Sequence, residues 1–372
     1  MSLRRRSSGR LEFADVEDLA DPLLVVEDLH TSFRTSRGTI RAVDGVSLTL
    51  DRGRTLGVVG ESGSGKTVLS RSIMGLLPTR EVVRSGSVQF SGYQLEGMPE
   101  VQLRQVWGAQ LSMIFQDPMT ALNPVVRIGR QITESLRLHL RMDRAEAKAT
   151  AISLLSSVGI PSPEERLRWY PFQLSGGMRQ RVMIAIALAC SPRLVLADEP
   201  TTGLDVTVQA QILDLLADLQ RERHMAMLLV THDLGVVANR ADEIAVMYAG
   251  RVVERAPSRA LFAHTKMPYT RALMDSIPRL ANPSHTRLQA IAGRPPDLLN
   301  SPKGCKFAPR CPYVQQKCID AEPPLRSTDS SDHVFACWFP LVDGRPSGLP
   351  SGAQSGVQSD VQSDRTPEVQ SR

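Results

Sequence analysis

A glycine-rich stretch near the start of the sequence has the residues of a phosphate-binding loop. Residues 60–67 read GESGSGKT, which fits the pattern of a glycine, four residues and then Gly-Lys-Ser/Thr. The glycines let consecutive backbone N–H groups converge on phosphate oxygens, and the following helix start adds partial positive charge. Lys66 is expected to bridge the β- and γ-phosphates of a nucleoside triphosphate, and Thr67 to hold Mg²⁺. The predicted nucleotide contacts are Gly60, Ser62, Gly63, Ser64, Gly65, Lys66, Thr67 and Val68.

Two acidic residues, Asp198 and Glu199, stand at the end of the apolar stretch RLVLAD (193–198) and directly after it. In α/β sheets the carboxyl end of a buried strand presents groups to ligands. A carboxylate at Asp198 can hold the Mg²⁺ shell, and Glu199 is placed to polarise an attacking water. Two acids after a strand can also be an ordinary helix cap, but the preceding phosphate loop favours the catalytic interpretation.

A third motif, QLSGGMRQRVMIAIALA (173–189), indicates a second anion-binding turn. Ser175 can cap a helix that begins at Gly176 and Gly177. Because glycines leave the first amides of that helix uncovered, the turn predicts a second surface that faces phosphate.

The elements that must position these residues are typical of an α/β fold. Five short runs are apolar on both faces and are followed by loop residues, as parallel strands covered by helices on both faces are. They are TLGVVG (55–60), LSMIFQ (111–116), RLVLAD (193–198), AMLLVT (226–231) and EIAVMY (243–248). Between the second and third of these runs, at about 117–172, no such apolar run occurs, which predicts a helical subdomain.

The order of these motifs resembles that of the nucleotide-binding domain of ATP-binding cassette (ABC) proteins, over residues 22–265. After GESGSGKT come FQDP (115–118), LSGGMRQR (174–181), LADEPTTGLD (196–205) and THD (231–233). The resemblance implies an α/β P-loop NTPase fold of the ABC type that binds ATP and Mg²⁺. In that family two domains pair head to tail, and each ATP lies between the loop of one domain and the glycine turn of the other.

The same resemblance implies roles for four further residues. Gln116 resembles the glutamine that senses Mg²⁺ and water and couples to a transmembrane partner. Asp205 resembles a residue of the loop that crosses the dimer interface. His232 resembles the histidine that contacts the γ-phosphate and positions Glu199, so that Glu199, His232 and Lys66 form the expected catalytic set. Phe33 resembles the aromatic residue that stacks on adenine, and a buried core phenylalanine is the alternative.

The end of the chain resembles the C-terminal extension of dipeptide and oligopeptide import ATPases, a branch that also handles nickel and some other small solutes. PYTRALMDSIPRL (268–280) and GCKFAPRCPYVQQKC (304–318) carry this resemblance, which covers residues 266–340. Four cysteines lie in this extension, at Cys305, Cys311, Cys318 and Cys337.

The cysteine spacing favours a metal site over a disulfide framework in a cytosolic protein. Zinc sites usually include two ligands only two to four residues apart, and these cysteines are separated by five, six and eighteen residues. Wider spacing suits an iron–sulfur cluster, and Cys311 is followed by proline, as some ferredoxin ligands are. We therefore expect a [4Fe-4S] cluster, with Zn²⁺ or unligated thiols as alternatives. Its negative charge would be offset by Lys303, Lys306, Arg310 and Lys317.

Composition and charge limit the function classes. The 372 residues are 42% hydrophobic and 22% charged, as in a globular protein, and no run approaches eighteen consecutive apolar residues. A net charge of +5 is mild for this length and does not favour nucleic-acid binding. Residues 1–21 are expected to be flexible, and their sequence does not resemble a secretory signal. The Ser/Gly/Gln-rich tail at 341–372 is expected to be disordered.

These features predict the ATP-hydrolysing subunit of a di- or oligopeptide importer at the cytoplasmic face of the cell membrane. The expected partners are two transmembrane permease subunits, a second ABC ATPase (identical or a paralogue) and an extracytoplasmic solute-binding protein. The alternatives are an ATPase for nickel or another small solute, and a soluble ABC ATPase that acts on DNA or ribosomes. Soluble ABC ATPases usually carry a long coiled coil or two fused cassettes, and this sequence shows neither.

Overall fold

A computed structural model describes residues 22–78, 80–277, 291–327 and 332–347. The strands in these ranges are β1 (Leu24–Thr35), β2 (Gly38–Leu50), β3 (Thr55–Val59), β4 (Val82–Phe90), β5 (Tyr93–Gln94), β6 (Leu111–Ile114), β7 (Leu194–Asp198), β8 (Ala226–Thr231), β9 (Glu243–Tyr248), β10 (Arg251–Pro257), β11 (Arg326–Ser327), β12 (Val334–Phe335), β13 (Leu341–Val342) and β14 (Arg345–Pro346). The helices are α1 (Lys66–Met74), α2 (Glu100–Val106), α3 (Pro118–Ala121), α4 (Ile128–His139), α5 (Arg144–Ser157), α6 (Pro163–Arg166), α7 (Gly176–Ala187), α8 (Val206–Arg223), α9 (Leu234–Ala238), α10 (Ser258–Ala263), α11 (Pro268–Asp275) and α12 (Gln316–Asp320), with 3₁₀ turns at Pro171–Gln173 and Ala308–Arg310.

The central sheet contains the five apolar runs that were expected to form strands. Among the described residues its strand order is β11-β12-β10-β9-β3-β8-β7-β6, and the five strands from β9 to β6 are parallel. Leu194 and Leu196 of β7 enter one hydrophobic cluster, whereas Val195 and Ala197 enter another. Because alternate side chains of a strand point to opposite faces, both faces of this sheet are covered.

A second, antiparallel sheet, in the order β2-β1-β4-β5, covers one face of the central sheet. Its Val26, Leu48 and Phe90 share a hydrophobic cluster with Leu56 and Val58 of β3. Buried and accessible residues are mixed along these strands, as expected for a sheet with only one face in the core. These strands therefore contain no continuous apolar run by which the sequence would predict them.

Helices occupy the chain between β6 and β7. α4 and α5 pack against each other and against α7, and Ile132, Leu136 and Leu155 contribute fully buried side chains. Asp143 and Glu146 form a capping box at the start of α5, which satisfies amides that the helix leaves without partners. Within the described residues, no helix combines the length and the apolar character needed to cross a membrane.

The C-terminal segment, defined here as residues 291–327 and 332–347, shares a core with the central sheet. β12 pairs with β10, and the imidazole of His333 lies 2.8 Å from the fully buried carboxylate of Glu254. The buried ring of Phe307 contacts Tyr248 and Tyr269, with ring centroids 5.3 and 5.4 Å away. This segment is therefore anchored by both polar and aromatic contacts.

Part of the predicted disordered tail is ordered. Residues 341–347 include the hairpin β13–β14, and Leu341 is buried while its amide donates to the carbonyl of Lys266 at 2.8 Å. One apolar side chain with a place in the core anchors this end, which the Ser/Gly/Gln-rich composition does not indicate. The remainder of that tail, 348–372, and the predicted flexible residues 1–21 lie outside the described residues.

Replacing Phe307 by alanine should lower the free energy of unfolding by about 3 to 5 kcal/mol, because it empties a large buried site. Phe172 is the matched control, since its side chain is 67% exposed; the change Phe172→Ala should alter the free energy by less than about 0.5 kcal/mol. Urea denaturation of the full chain measures both values. Equal effects of the two substitutions would contradict a shared core.

Candidate nucleotide-binding and catalytic site

The carboxyl ends of four neighbouring strands bring the predicted catalytic residues to one edge of the central sheet. β3 leads into the loop at 60–67, β8 into His232, β7 into Glu199 and β6 towards Gln116. Because these strands are parallel, their carboxyl ends lie at the same edge, and residues distant in sequence meet there.

The loop at 60–67 folds around the side chain of Lys66, which is only 4% exposed. Its ammonium group donates hydrogen bonds to the carbonyls of Gly60 at 2.8 Å and Glu61 at 3.0 Å. Burial lowers the pKa of Lys66, and the carboxylates of Glu199, Asp198 and Glu61 act against that shift. The loop therefore holds a shielded cation where an anion can reach it.

Two glycines are required by the path of this loop. A Cβ atom at Gly60 would lie 2.2 Å from the carbonyl oxygen of Met247, and one at Gly65 would lie 2.1 Å from that of Ala42. Gly65 also has a φ of +102°, which disfavours residues with side chains. The close approach of the loop to neighbouring backbone thus explains why these positions lack side chains.

Thr67 and Asp198 lie side by side beneath the loop. The Thr67 hydroxyl donates to Oδ1 of Asp198 at 3.0 Å, while the buried Oδ2 has no hydrogen-bond partner. Burial raises the pKa of Asp198, and the bond from Thr67 opposes this shift. A hydroxyl beside a carboxylate oxygen that lacks a donor suits a hard cation such as Mg²⁺. The pair therefore fits the predicted Mg²⁺ site.

The Glu199 carboxylate is held by three other side chains. Its Oε2 accepts hydrogen bonds from Gln116 at 3.0 Å and from the Thr202 hydroxyl at 2.9 Å, and Nδ1 of His232 lies 3.5 Å away. The other oxygen lies 3.9 Å from the Lys66 ammonium. Glu199 also has a φ of +46°, a left-handed conformation that is costly for a residue with a side chain and is often found at functional sites.

A cleft of about 760 Å³ opens at this edge of the sheet. The predicted site residues that line it are Ser62, Gly63, Gly65, Lys66, Thr67, Val68, Gln116, Glu199 and His232. Gly60, Ser64 and Asp198 are buried and do not line the cleft. Phe33 is half-buried in β1, opposite Ile40 and Val82, and is not among the described residues that line the cleft.

The Ser175–Gly177 turn forms a separate surface together with the Asp205 loop. Ser175 accepts a hydrogen bond from the Met178 amide at the start of α7, and Asp205 caps α8 in the same way. A Cβ atom at Gly177 would lie 2.9 Å from a methyl carbon of Val208, so the two helix starts are adjacent. Ser175, Gly176 and Asp205 are exposed and lie outside the lining of the 760 Å³ cleft.

Several residues that line the cleft or contact its lining were not predicted. The hydroxyl of Thr202 donates to Glu199. Because Thr202 lies only three residues after Glu199, this contact could have been predicted from the sequence. Ile291 and Pro295 of the C-terminal segment line the cleft, and Arg310 pairs with Glu61 of the phosphate loop. No local pattern links the C-terminal segment to a loop more than 200 residues earlier.

The four cysteines of the C-terminal segment line one small apolar cavity of about 20 Å³. Burial raises the pKa of Cys311 to about 11 and that of Cys337 to about 12, and neighbouring thiols add to both shifts. Among the described residues, however, no group of three or more His, Cys, Asp or Glu is arranged to hold a metal ion. The four thiols thus lie around one cavity, but among the described residues they are not arranged to hold a metal ion.

The cations expected to offset a cluster charge have other partners. Lys306 donates to the Asp44 carboxylate at 2.8 Å, and its role beside the cysteines was therefore predicted wrongly. Arg310 pairs with Glu61, and the Lys317 ammonium lies 3.9 Å from the ring centroid of Trp338. The sequence shows how many charged residues lie in this region, but the group that each side chain contacts depends on packing against the sheet.

Known proteins match this chain along most of its length. Residues 43–202 match the family model "ABC transporter", and residues 253–318 match "Oligopeptide/dipeptide transporter, C-terminal region". The chain is 48% identical to the dipeptide transport ATP-binding protein DppD of Bacillus subtilis (strain 168), across 86% of this chain and 95% of that protein. It is also 48% identical to the oligopeptide transport ATP-binding protein OppD of Haemophilus influenzae, across 86% and 97%.

Among solved structures, the ATP-binding cassette MJ0796, a dimer in a post-hydrolysis state with ADP and Pi, matches with a TM-score of 0.57 and 27% identity. The match covers 63% of this chain and 99% of MJ0796. The chain therefore belongs to the ABC transporter family as an ATPase of the branch that carries the oligopeptide/dipeptide transporter C-terminal region.

Proposed function

We propose that this chain is the ATP-hydrolysing subunit that drives import of di- or oligopeptides through separate transmembrane permease subunits. The observation that carries the hydrolytic role is the Glu199 carboxylate, held by Gln116, Thr202 and His232 within 3.9 Å of the Lys66 ammonium. The peptide substrate is supported by the names of the relatives and by the matching C-terminal region. We place the chain at the cytoplasmic face of the membrane, with a solute-binding protein outside it.

The domain organisation that we propose follows the same family. A nucleotide-binding domain at 22–265 contains a helical subdomain at about 117–172, and the extension with four cysteines occupies 266–340. The helices between β6 and β7 support the helical subdomain.

In the proposed reaction, Glu199 takes a proton from water while the water oxygen attacks the γ-phosphorus of ATP. The bond from that phosphorus to the oxygen bridging to the β-phosphate breaks, giving ADP and phosphate. Lys66 and His232 stabilise negative charge that develops on the transferred group. Thr67 and Asp198 would hold Mg²⁺, which neutralises charge on the phosphates. Gln116 keeps the Glu199 carboxylate aimed at the cleft.

Replacing Glu199 by glutamine should reduce ATP hydrolysis and peptide uptake together by about a hundredfold or more, because the general base is lost. The assay uses the assembled complex in proteoliposomes, with a peptide or a nickel complex as the solute. Glu222 is exposed on α8, and Glu222→Gln is the matched control. Unchanged hydrolysis would refute the role of Glu199; uptake of nickel but not of peptide would favour the alternative substrate.

We further propose that a second ABC ATPase, identical or paralogous, completes each nucleotide site. The support is the exposed surface formed by the Ser175–Gly177 turn and Asp205, which lies outside the chain's own cleft. Two helix starts there offer free amides and partial positive charge to phosphate of a partner. Head-to-tail pairing brings this surface to the cleft of the partner.

The change Gly176→Asp separates dimer formation from folding. A Cβ atom at Gly176 would have its nearest neighbour, Leu204, at 3.7 Å, so the side chain is accommodated within the chain. Its carboxylate would repel the partner's nucleotide, which should abolish ATP-dependent dimers while nucleotide affinity of the monomer stays unchanged. Light scattering in the Glu199→Gln background measures the dimers, and Ser153→Asp on the exposed face of α5 is the control. Dimers of normal stability would contradict the proposed interface.

For the four cysteines, we propose a [4Fe-4S] cluster ligated by Cys305, Cys311, Cys318 and Cys337. Four thiols at one apolar cavity support it, and the wide spacing of the cysteines in the sequence favours a cluster over a Zn²⁺ site. A coordinated thiolate would be stable there despite burial, because a metal lowers the thiol pKa.

Full chain purified without oxygen should therefore contain about four iron and four sulfide per chain. The change Cys311→Ser should remove both, whereas Cys190→Ser, at a buried thiol outside the cavity, should not. One zinc ion per chain would favour the alternative metal, Zn²⁺. A full chain that contains no metal and is as stable as the Cys311→Ser variant would support unligated thiols.

A further inference from the structure

The second residue of the phosphate loop places a negative charge where an anion must bind. Glu61 lines the same cleft as Lys66 and Thr67. Its backbone is fixed, because its amide donates to the Tyr269 hydroxyl at 2.9 Å and its carbonyl accepts from Lys66. A carboxylate held there without a counter-charge would repel the phosphates of a nucleotide.

Arg310 of the C-terminal segment supplies the counter-charge. Its Nη1 lies 2.6 Å from Oε2 of Glu61 and its Nη2 lies 2.9 Å from Oε1, a bidentate pair. The side chain of Arg310 is only 4% exposed and that of Glu61 is 23% exposed. Pairs shielded from water interact more strongly than surface pairs, which contribute little. The pairing therefore changes the charge that the phosphate loop presents.

The same guanidinium also fixes one wall of the cleft. Nε of Arg310 donates to the carbonyl of Ala292 at 2.8 Å, and Nη2 donates to that of Ile291 at 3.3 Å. Ile291 and Pro295 line the cleft together with residues of the phosphate loop. One side chain thus connects the loop to a wall built by the C-terminal segment.

The backbone that carries Arg310 is itself anchored to the sheet. Lys306 binds the Asp44 carboxylate and the Ala249 carbonyl, at 2.8 and 3.1 Å. Phe307 lies in the aromatic cluster with Tyr248, and the 3₁₀ turn Ala308–Arg310 follows directly. The guanidinium is therefore presented to Glu61 by a rigid support.

We propose that Arg310 is a positioning residue for ATP binding, which neutralises Glu61 and fixes the adjacent wall of the cleft. The C-terminal segment is then part of the nucleotide site. This inference concerns the affinity for ATP and is independent of which solute the transporter carries.

The change Arg310→Gln tests the proposal in full-length protein. It should weaken Mg-ATP binding by about five- to tenfold, because the Glu61 carboxylate is left facing the phosphates. The penalty should shrink as salt rises from about 0.05 to 0.3 M, since salt screens charge. In the assembled complex the KM for ATP should rise by a similar factor, while kcat stays within about twofold, because uniform binding is lost rather than transition-state stabilisation. Calorimetric titration and steady-state hydrolysis give these values.

A double variant separates charge from packing. The pair of changes Glu61→Gln and Arg310→Gln removes both charges and should restore the affinity to within about twofold of the wild type. Arg255→Gln is the matched control, because Arg255 forms a similar bidentate pair with Glu243, at 2.8 and 2.6 Å, on strands away from the cleft lining. It should alter thermal stability without changing the affinity for ATP.

Two results would overturn the proposal. One is an unchanged affinity in a folded Arg310→Gln protein; the other is a double variant that binds ATP no better than this single variant. Should Arg310→Gln fail to fold, the double variant and Arg310→Lys decide the matter. Lysine keeps the charge but loses the bidentate geometry, so Arg310→Lys should bind ATP less than about threefold more weakly than the wild type does. A tenfold loss of ATP affinity in both Arg310→Lys and the double variant would again overturn the proposal.

Discussion

The structure depends on how three carboxylates are kept next to a site that must bind a polyanion. Glu61, Asp198 and Glu199 surround the buried Lys66 ammonium and act against its lowered pKa. Each is handled differently. Asp198 is buried beneath the loop beside the Thr67 hydroxyl, Glu199 is held by neutral and imidazole groups, and Glu61 is paired with a guanidinium. The acids needed for Mg²⁺ and for water activation can therefore lie beside bound phosphate, because Glu61 and Glu199 each have a cation within 4 Å and Asp198 lies beside the Thr67 hydroxyl, where Mg²⁺ would neutralise it.

The parallel sheet makes this arrangement possible. Adjacent strands β3, β8, β7 and β6 end at one edge, so an ammonium, an imidazole, two carboxylates and an amide meet without long loops. The helices between β6 and β7 lead to the Ser175 turn, which the chain places outside its own cleft. One copy thus contains the catalytic groups and, on a different surface, the helix starts that suit the phosphate of another copy. This separation gives a physical reason for a paired ATPase.

The parts that could be predicted from sequence are those that depend on local chemistry. Strands buried on both faces are continuous apolar runs, and the loop at 60–67 needs glycines because Gly60 and Gly65 approach neighbouring carbonyls. The antiparallel sheet was missed because its strands have one accessible face and therefore no such run. The pairing of Arg310 with Glu61 spans 249 positions and leaves no local signal. For the same reason, Lys306 was assigned to the cysteines, although it packs against Asp44.

The connection between the thiol cavity and the phosphate loop is short. Only five residues, 306–310, separate Cys305 from Cys311, and backbone hydrogen bonds from Ala308 to Cys305 and from Cys311 to Ala308 hold them in a compact turn. Both charged residues of this stretch bind carboxylates outside the C-terminal segment, those of Asp44 and Glu61. Two of the thiols and the guanidinium that pairs with Glu61 are therefore carried by one short stretch of backbone. Because a bidentate pair requires both nitrogens in register with both oxygens, even a small rotation of that backbone weakens the hold on Glu61. Residues 305–311 thus contribute both to the thiol cavity and, through Arg310, to the charge of the phosphate loop.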